Sequence, residues 1–148
     1  QEDKVGKSFV SEKGNLFDKM LNAINLKKDY IFIVNAIPWR PPGNRYPTAE
    51  EIKICRPFIF NLIKLLKPKL IVCLGEISTY QILDLNQSFI KTRGKWHSLK
   101  SNPINDFDEE YNPHVLPTLN ISYLLTRPDM KRQAWEDMKL LRDKIREI

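Results

Sequence analysis

Asn35 follows the apolar run Ile31-Phe32-Ile33-Val34 and opens a loop, Ala36 to Pro47, with four prolines, one glycine and two arginines, Arg40 and Arg45. A carboxamide at the end of a buried strand offers both a donor and an acceptor, the pair needed to read a nucleobase edge. Asn also caps loops through its own backbone, so its place alone leaves both readings open. Basic side chains gather in loops: Arg40, Arg45, Lys91, Arg93, Lys95, Arg127, Lys131 and Arg132. Contacts of that kind with phosphate give sequence-independent affinity that falls with salt. For any single lysine, a solvated surface is the simpler account. Arg40 and Arg45 stand out because prolines stiffen their loop. His97 and His114 are the only histidines. Neither has a cysteine or carboxylate at ligand spacing, so no metal site is expected.

These residues need elements to hold them. Leu16, Met20, Leu21 and Ile24 recur at helical spacing and predict a helix over Asn15 to Asn25. Thr48-Ala49-Glu50-Glu51 has the form of a capping box and starts a helix expected to reach Leu66 through Pro57. Short helices are expected over Glu76 to Leu83 and a long one over Asp129 to Glu147. Ile31 to Val34, Leu70 to Leu74 and His114 to Thr118 read as buried strands. Lys91 to Lys100 reads as a basic loop with an extended piece around Trp96. Apolar strands separated by helices predict parallel pairing through right-handed crossovers. Ligands of such sheets bind beyond the carboxyl ends of the strands, here Asn35, Gly75 and Thr118.

The chain has 148 residues, 42% apolar and 28% charged, with a net charge of +6. That suits one soluble domain of ordinary size with a real core. The basic excess makes an anionic partner plausible. No apolar run approaches the ~20 residues that span a bilayer. Cys55 and Cys73 are too few for a disulfide framework and fit a reducing compartment. No glycine-rich nucleotide loop or Walker lysine is present, which sets aside a generic nucleotide-binding domain.

A set of motifs runs through the chain. Gly6-Lys7-Ser8-Phe9-Val10 comes first, then Asn35, then Arg40-Pro41-Pro42-Gly43-Asn44-Arg45-Tyr46-Pro47-Thr48 with Glu51 and Cys55. Pro68-Lys69, Leu74-Gly75, Arg93-Gly94-Lys95-Trp96 and Leu116-Pro117-Thr118 follow, then Ser122-Tyr123-Leu124-Leu125 and Trp135-Glu136-Asp137. This series resembles the uracil-DNA glycosylase superfamily, closest to family 4 and family-4-like bacterial members. The proline- and arginine-rich segment is its most specific part.

The resemblance implies hydrolysis of the N-glycosidic bond between uracil and deoxyribose, with the base turned out of the stack. It implies that Phe9 stacks on the uracil and that Asn35 bonds its edge and rejects cytosine. Asn120 stands where the family usually has histidine, in a segment that normally reads His-Pro-Ser/Ala-Tyr-Leu-Leu and here reads Asn120-Ile121-Ser122-Tyr123-Leu124-Leu125. Either residue can donate to a uracil carbonyl and stabilise the leaving anion. Ser122, Leu124, Leu125 and Arg127 fall on the DNA side, with Leu124 and Leu125 as the wedge beside the flipped nucleotide. Ordinary packing is the alternative for both leucines.

Some family features are altered. Only Glu2-Asp3 matches the tail of the family's first motif, so its strand and its water-positioning residue are expected upstream of Gln1. Val10-Ser11-Glu12-Lys13-Gly14 keeps only the last glycine of a glycine-rich turn, and Glu12 would repel a phosphate. Many family 4 members hold an iron–sulfur cluster on four cysteines. Cys55 matches one ligand, but Trp39 fills the place of another, and an indole cannot replace a thiolate. No cofactor and no metal are therefore expected. Asp106, Asp108, Glu109 and Glu110 form an acidic insertion expected to point away from DNA.

The expected fold is α/β: a three-layer α/β/α domain over residues 1–148, with a short parallel sheet whose first strand is missing. The expected function is base-excision DNA repair on uracil-containing DNA by a monomer in the bacterial cytoplasm, without membrane association. The alternative is a DNA-binding relic of the same superfamily with catalysis impaired.

Overall fold

Thr48 and Glu51 close on each other at the head of helix α2 (Ala49–Leu66). Glu51 N–H donates to Thr48 Oγ1 at 3.1 Å, and Thr48 N–H donates to Glu51 Oε1 at 2.9 Å. The box satisfies two amides that a helix start otherwise leaves open. α2 continues through Pro57 and ends where Lys67 turns left-handed, its N–H donating to Ile63 O at 2.8 Å. The computed structural model that shows this describes residues 4–34, 48–83, 88–99 and 111–148. They fall into two compact units, residues 34–118 and residues 1–33 with 119–148.

In the first unit, strands β1 (Leu70–Leu74) and β3 (His114–Thr118) pair in parallel, with Leu70 opposite His114 and Leu74 opposite Thr118. A two-residue strand β2 (His97–Ser98) joins the far side of β3 antiparallel, giving the order β1-β3-β2. Helices α3 (Glu76–Leu83) and α4 (Phe89–Thr92) lie between β1 and β2 in sequence. Ile59, Phe60 and Ile63 of α2, Cys73 of β1, Ile82 and Leu83 of α3, Leu99 and Val115 form the core. Two long-range contacts fasten its edges. Arg56 of α2 donates from Nε to Gln81 O at 2.9 Å and from Nη2 to Tyr80 O at 2.8 Å, placing a cation on the last carbonyls of α3. Tyr111 donates its hydroxyl to Pro68 O at 2.6 Å, just ahead of β1. Gly75 takes φ 99° to turn β1 into α3, a conformation that disfavours any side chain.

The second unit is helical. Helix α1 (Lys4–Ala23) ends in a Schellman motif. Asn25 sits at φ 58°, Leu26 N–H donates to Leu21 O at 3.0 Å, and Asn25 N–H donates to Asn22 O at 3.1 Å. Asn is among the few residues that take this left-handed position at small cost. α1 packs on α5 (Ile121–Thr126), which passes through a 3-10 turn at Pro128–Met130 into α6 (Lys131–Glu147). Leu21, Ile24, Ile121, Leu124, Ala134, Met138 and Leu141 are buried.

The α/β class and the parallel pairing of β1 with β3 agree with the sequence reading. Three parts differ. The third strand of the described sheet is antiparallel. The first helix begins at Lys4, well before Asn15. Ile31 to Val34 form no strand: Phe32 is 65% and Ile33 64% exposed. β-branched and aromatic residues favour a strand only where a neighbour supplies ladder bonds and a packing face, and among the described residues none pairs with this run.

Candidate functional site

Asn120 lies two residues past β3 and caps α5. Ser122 N–H donates to Asn120 Oδ1 at 2.7 Å, the side-chain bond that opens the helix. The next turn is held by Leu124 N–H on Asn120 O at 3.2 Å. Asn120 is half-buried, and with the oxygen of its carboxamide engaged, Nδ2 is the end that offers donors. Ile121, where the resemblance expects proline, is buried.

One turn along, Tyr123 is 39% exposed. The Arg127 guanidinium sits over its ring, 6.0 Å from the centroid. Arg127 is in turn gripped by Asp129, Nε to Oδ1 at 3.0 Å and Nη2 to Oδ2 at 2.9 Å. This fork holds the Asp129 carboxyl below its ordinary range and pushes the already high Arg127 further up. Both groups are open to water, so the pair fixes geometry more than it adds stability.

The expected site residues are not all brought together. Asn35, Arg40 and Arg45 lie outside the described residues, as does Trp39. Phe9 lies on α1, with its side chain outside the described part. Ser122 is half-buried and gives its N–H to Asn120. Leu124, expected as part of a wedge, is 1% exposed and belongs to the core of its unit. Leu125 is half-buried. Arg127 faces solvent, but with its charge matched by Asp129. The stacked trio of Tyr123, Arg127 and Asp129 was not foreseen. Its signals were the i, i+4 spacing of Tyr123 and Arg127 and the Arg127-Pro128-Asp129 turn.

His97 and His114 are placed structurally. His97 Nε2 lies 3.0 Å from Thr92 O, and His114 meets the Trp96 ring edge to face at 6.3 Å. Among the described residues no group of His, Cys, Asp and Glu could hold a metal ion. Burial pushes the Cys73 thiol up to about 12. Burial and then the Glu51 carboxylate push Cys55 up as well. Both cysteines are 2% exposed. No described helix is long and apolar enough to cross a membrane.

A sequence profile described as the uracil DNA glycosylase superfamily matches residues 1–139. The type-4 uracil-DNA glycosylase of Sulfurisphaera tokodaii is 35% identical over 147 residues, 96% of this chain and 64% of that protein. The type-4 uracil-DNA glycosylase of Thermotoga maritima is 33% identical over 142 residues, 94% of this chain and 69% of that protein. A type-5 uracil-DNA glycosylase of Pyrobaculum aerophilum is 33% identical over 55 residues, 37% of this chain and 24% of that protein. The chain thus spans 64% to 69% of the length of the first two relatives.

Proposed function

The chain belongs to the uracil DNA glycosylase superfamily, and from that premise we propose that it releases uracil from DNA by hydrolysing the N-glycosidic bond. The observation that carries the proposal is the oriented carboxamide of Asn120. As the bond between the sugar and uracil N1 breaks, its electron pair moves into the uracil ring and charge builds on the carbonyl oxygens. A donor already aimed at one of those oxygens stabilises the leaving anion without reorganising. In this reading Asn120 Nδ2 takes that part, and the bond from Ser122 N–H to the other end of the amide supports it. Water adds to the sugar carbon and gives up a proton; the uracil anion takes one.

The remaining assignments follow from family membership. Phe9 stacks on the extruded base, Asn35 reads its edge, and Arg40 and Arg45 hold phosphates. The partner is uracil-containing DNA, and the protein acts as a cytoplasmic monomer with no cofactor. The Asn120 amide donor, without a partner among the described residues, favours a working enzyme over a DNA-binding relic.

The test is uracil release from a single-uracil oligonucleotide, read as alkali-labile strand breaks, by the purified protein and by Asn120→Asp. Aspartate keeps the helix cap and loses the donor. Release by the parent protein, reduced by roughly 100-fold in the variant, is the expected result. No release by the parent overturns the proposed activity, and full release by the variant overturns the role of Asn120.

A further inference from the structure

We propose that the cationic face of α6, centred on Trp135, is a second nucleic-acid site that holds single-stranded DNA flanking the uracil. The proposal rests on the function above only for the choice of DNA as the polyanion. At about 100° per residue, Lys131, Arg132, Trp135, Lys139, Arg142 and Arg146 fall within one stripe of the helix, and no carboxylate lies in it. Ala134, Asp137, Met138 and Leu141 bury a different face. The acids Glu136, Asp143 and Glu147 form the next stripe round.

Helix stability does not explain this segregation. Cations suit the last turn of a helix and are disfavoured in the first. The first turn of α6 holds Lys131 and Arg132 and no acid. Both are exposed, as is Arg146, and none of the three makes an ion pair with a described residue. Lys139 and Arg142 meet Glu136 at 3.0 Å and Asp143 at 3.2 Å, at the seam between the two stripes. Exposed pairs of that kind are worth little and give way to phosphate.

Trp135 stands among these five cations and is 38% exposed. Cations that track a phosphate chain, with an aromatic ring on which a base can stack, are the combination that holds a single strand. The bases of a duplex are stacked on one another and leave no face for the indole. An acidic peptide would meet the same charges but has nothing flat to set on the ring. At a rise of about 1.5 Å per residue, Lys131 to Arg146 spans roughly 22 Å, enough for several consecutive phosphates.

The test is binding of a uracil-free thymidine oligonucleotide of about 12 nucleotides by the whole protein, read by tryptophan fluorescence and by salt titration. No base is excised, so the measurement stands apart from the activity. Binding should quench the fluorescence, and Trp135→Phe should lose most of the quench at little cost in affinity. Trp135→Ala should weaken binding about 10-fold. Arg132→Ala with Arg146→Ala should reduce the log–log salt slope by about 1.4, at roughly 0.7 per phosphate on a single strand. Arg132→Lys with Arg146→Lys should keep it. A parent protein that does not bind, an unchanged slope in the alanine pair, or a quench that survives Trp135→Phe overturns the inference. Equal affinity and equal quench with polyglutamate overturn it in favour of an acidic protein partner. Absence of uracil release in every protein, with these effects intact, counts against the enzymatic reading alone.

Discussion

The backbone amide of Ser122 reaches back to Asn120 Oδ1 at 2.7 Å, so one short bond both starts α5 and decides which end of the carboxamide faces outward. A histidine could not be oriented in this way by the same amide without spending one of its ring nitrogens as an acceptor. Asparagine also carries no proton that titrates near neutrality.

Asn120→Ala should therefore cost twice. Loss of the cap lowers stability by about 1 kcal/mol, visible as a drop in Tm, and loss of the donor lowers uracil release. Asn120→His should introduce a pH dependence of kcat near the ordinary imidazole value of about 6.5, which the parent protein lacks. An identical pH profile for the two proteins would show that position 120 does not touch the leaving base.

Arg40 and Arg45 carry the electrostatic part of the proposal. Affinity for a nonspecific duplex should fall with salt at a log–log slope near −0.9 for each phosphate held. The double variant Arg40→Ala, Arg45→Ala should flatten that slope by close to two contacts. An unchanged slope would remove the loop from the DNA interface.

Tyr111 should govern alkaline stability. Its hydroxyl donates to Pro68 O at 2.6 Å, and burial pushes it from the ordinary 10.0 up to about 12. The folded state thus favours the protonated phenol. Its contribution is complete below pH 10 and disappears as pH rises through 12. A spectrophotometric titration should show a late-ionising phenol step that Tyr111→Phe removes, and the variant should lose about 1 kcal/mol of stability. Titration of all five tyrosines near 10 would contradict the bond.

The thiols should be silent. Cys55 and Cys73 are both buried, and burial raises both. An aromatic disulfide reagent should label neither in the folded protein and both in guanidinium. Fast labelling of one thiol under native conditions would mean that its shell opens.

What the sequence made legible was local. Thr48 and Glu51 announce their helix because the whole signal fits in four residues. Glu76 to Leu83 forms the expected helix, and Leu70 to Leu74 pairs with His114 to Thr118 because both runs are apolar on two faces. What stayed hidden depended on partners. β2 is only His97 and Ser98, too short for any alternation to show. Leu124 and Leu125 are adjacent and alike, yet a helix turns about 100° between them, and only packing decides that Leu124 goes inward. Of the site, Asn120 was visible as a residue type, but the direction of its amide was not.

The stretch from Tyr30 to Val34 has a consequence for handling the protein. Its five residues carry no charge, and Tyr30, Phe32, Ile33 and Val34 all face water. Uncharged, β-prone windows of this length without proline seed cross-β association between molecules. Shelf life at high concentration is then set by this stretch rather than by the melting of the core, and Phe32→Lys, a change outside both cores, should extend it.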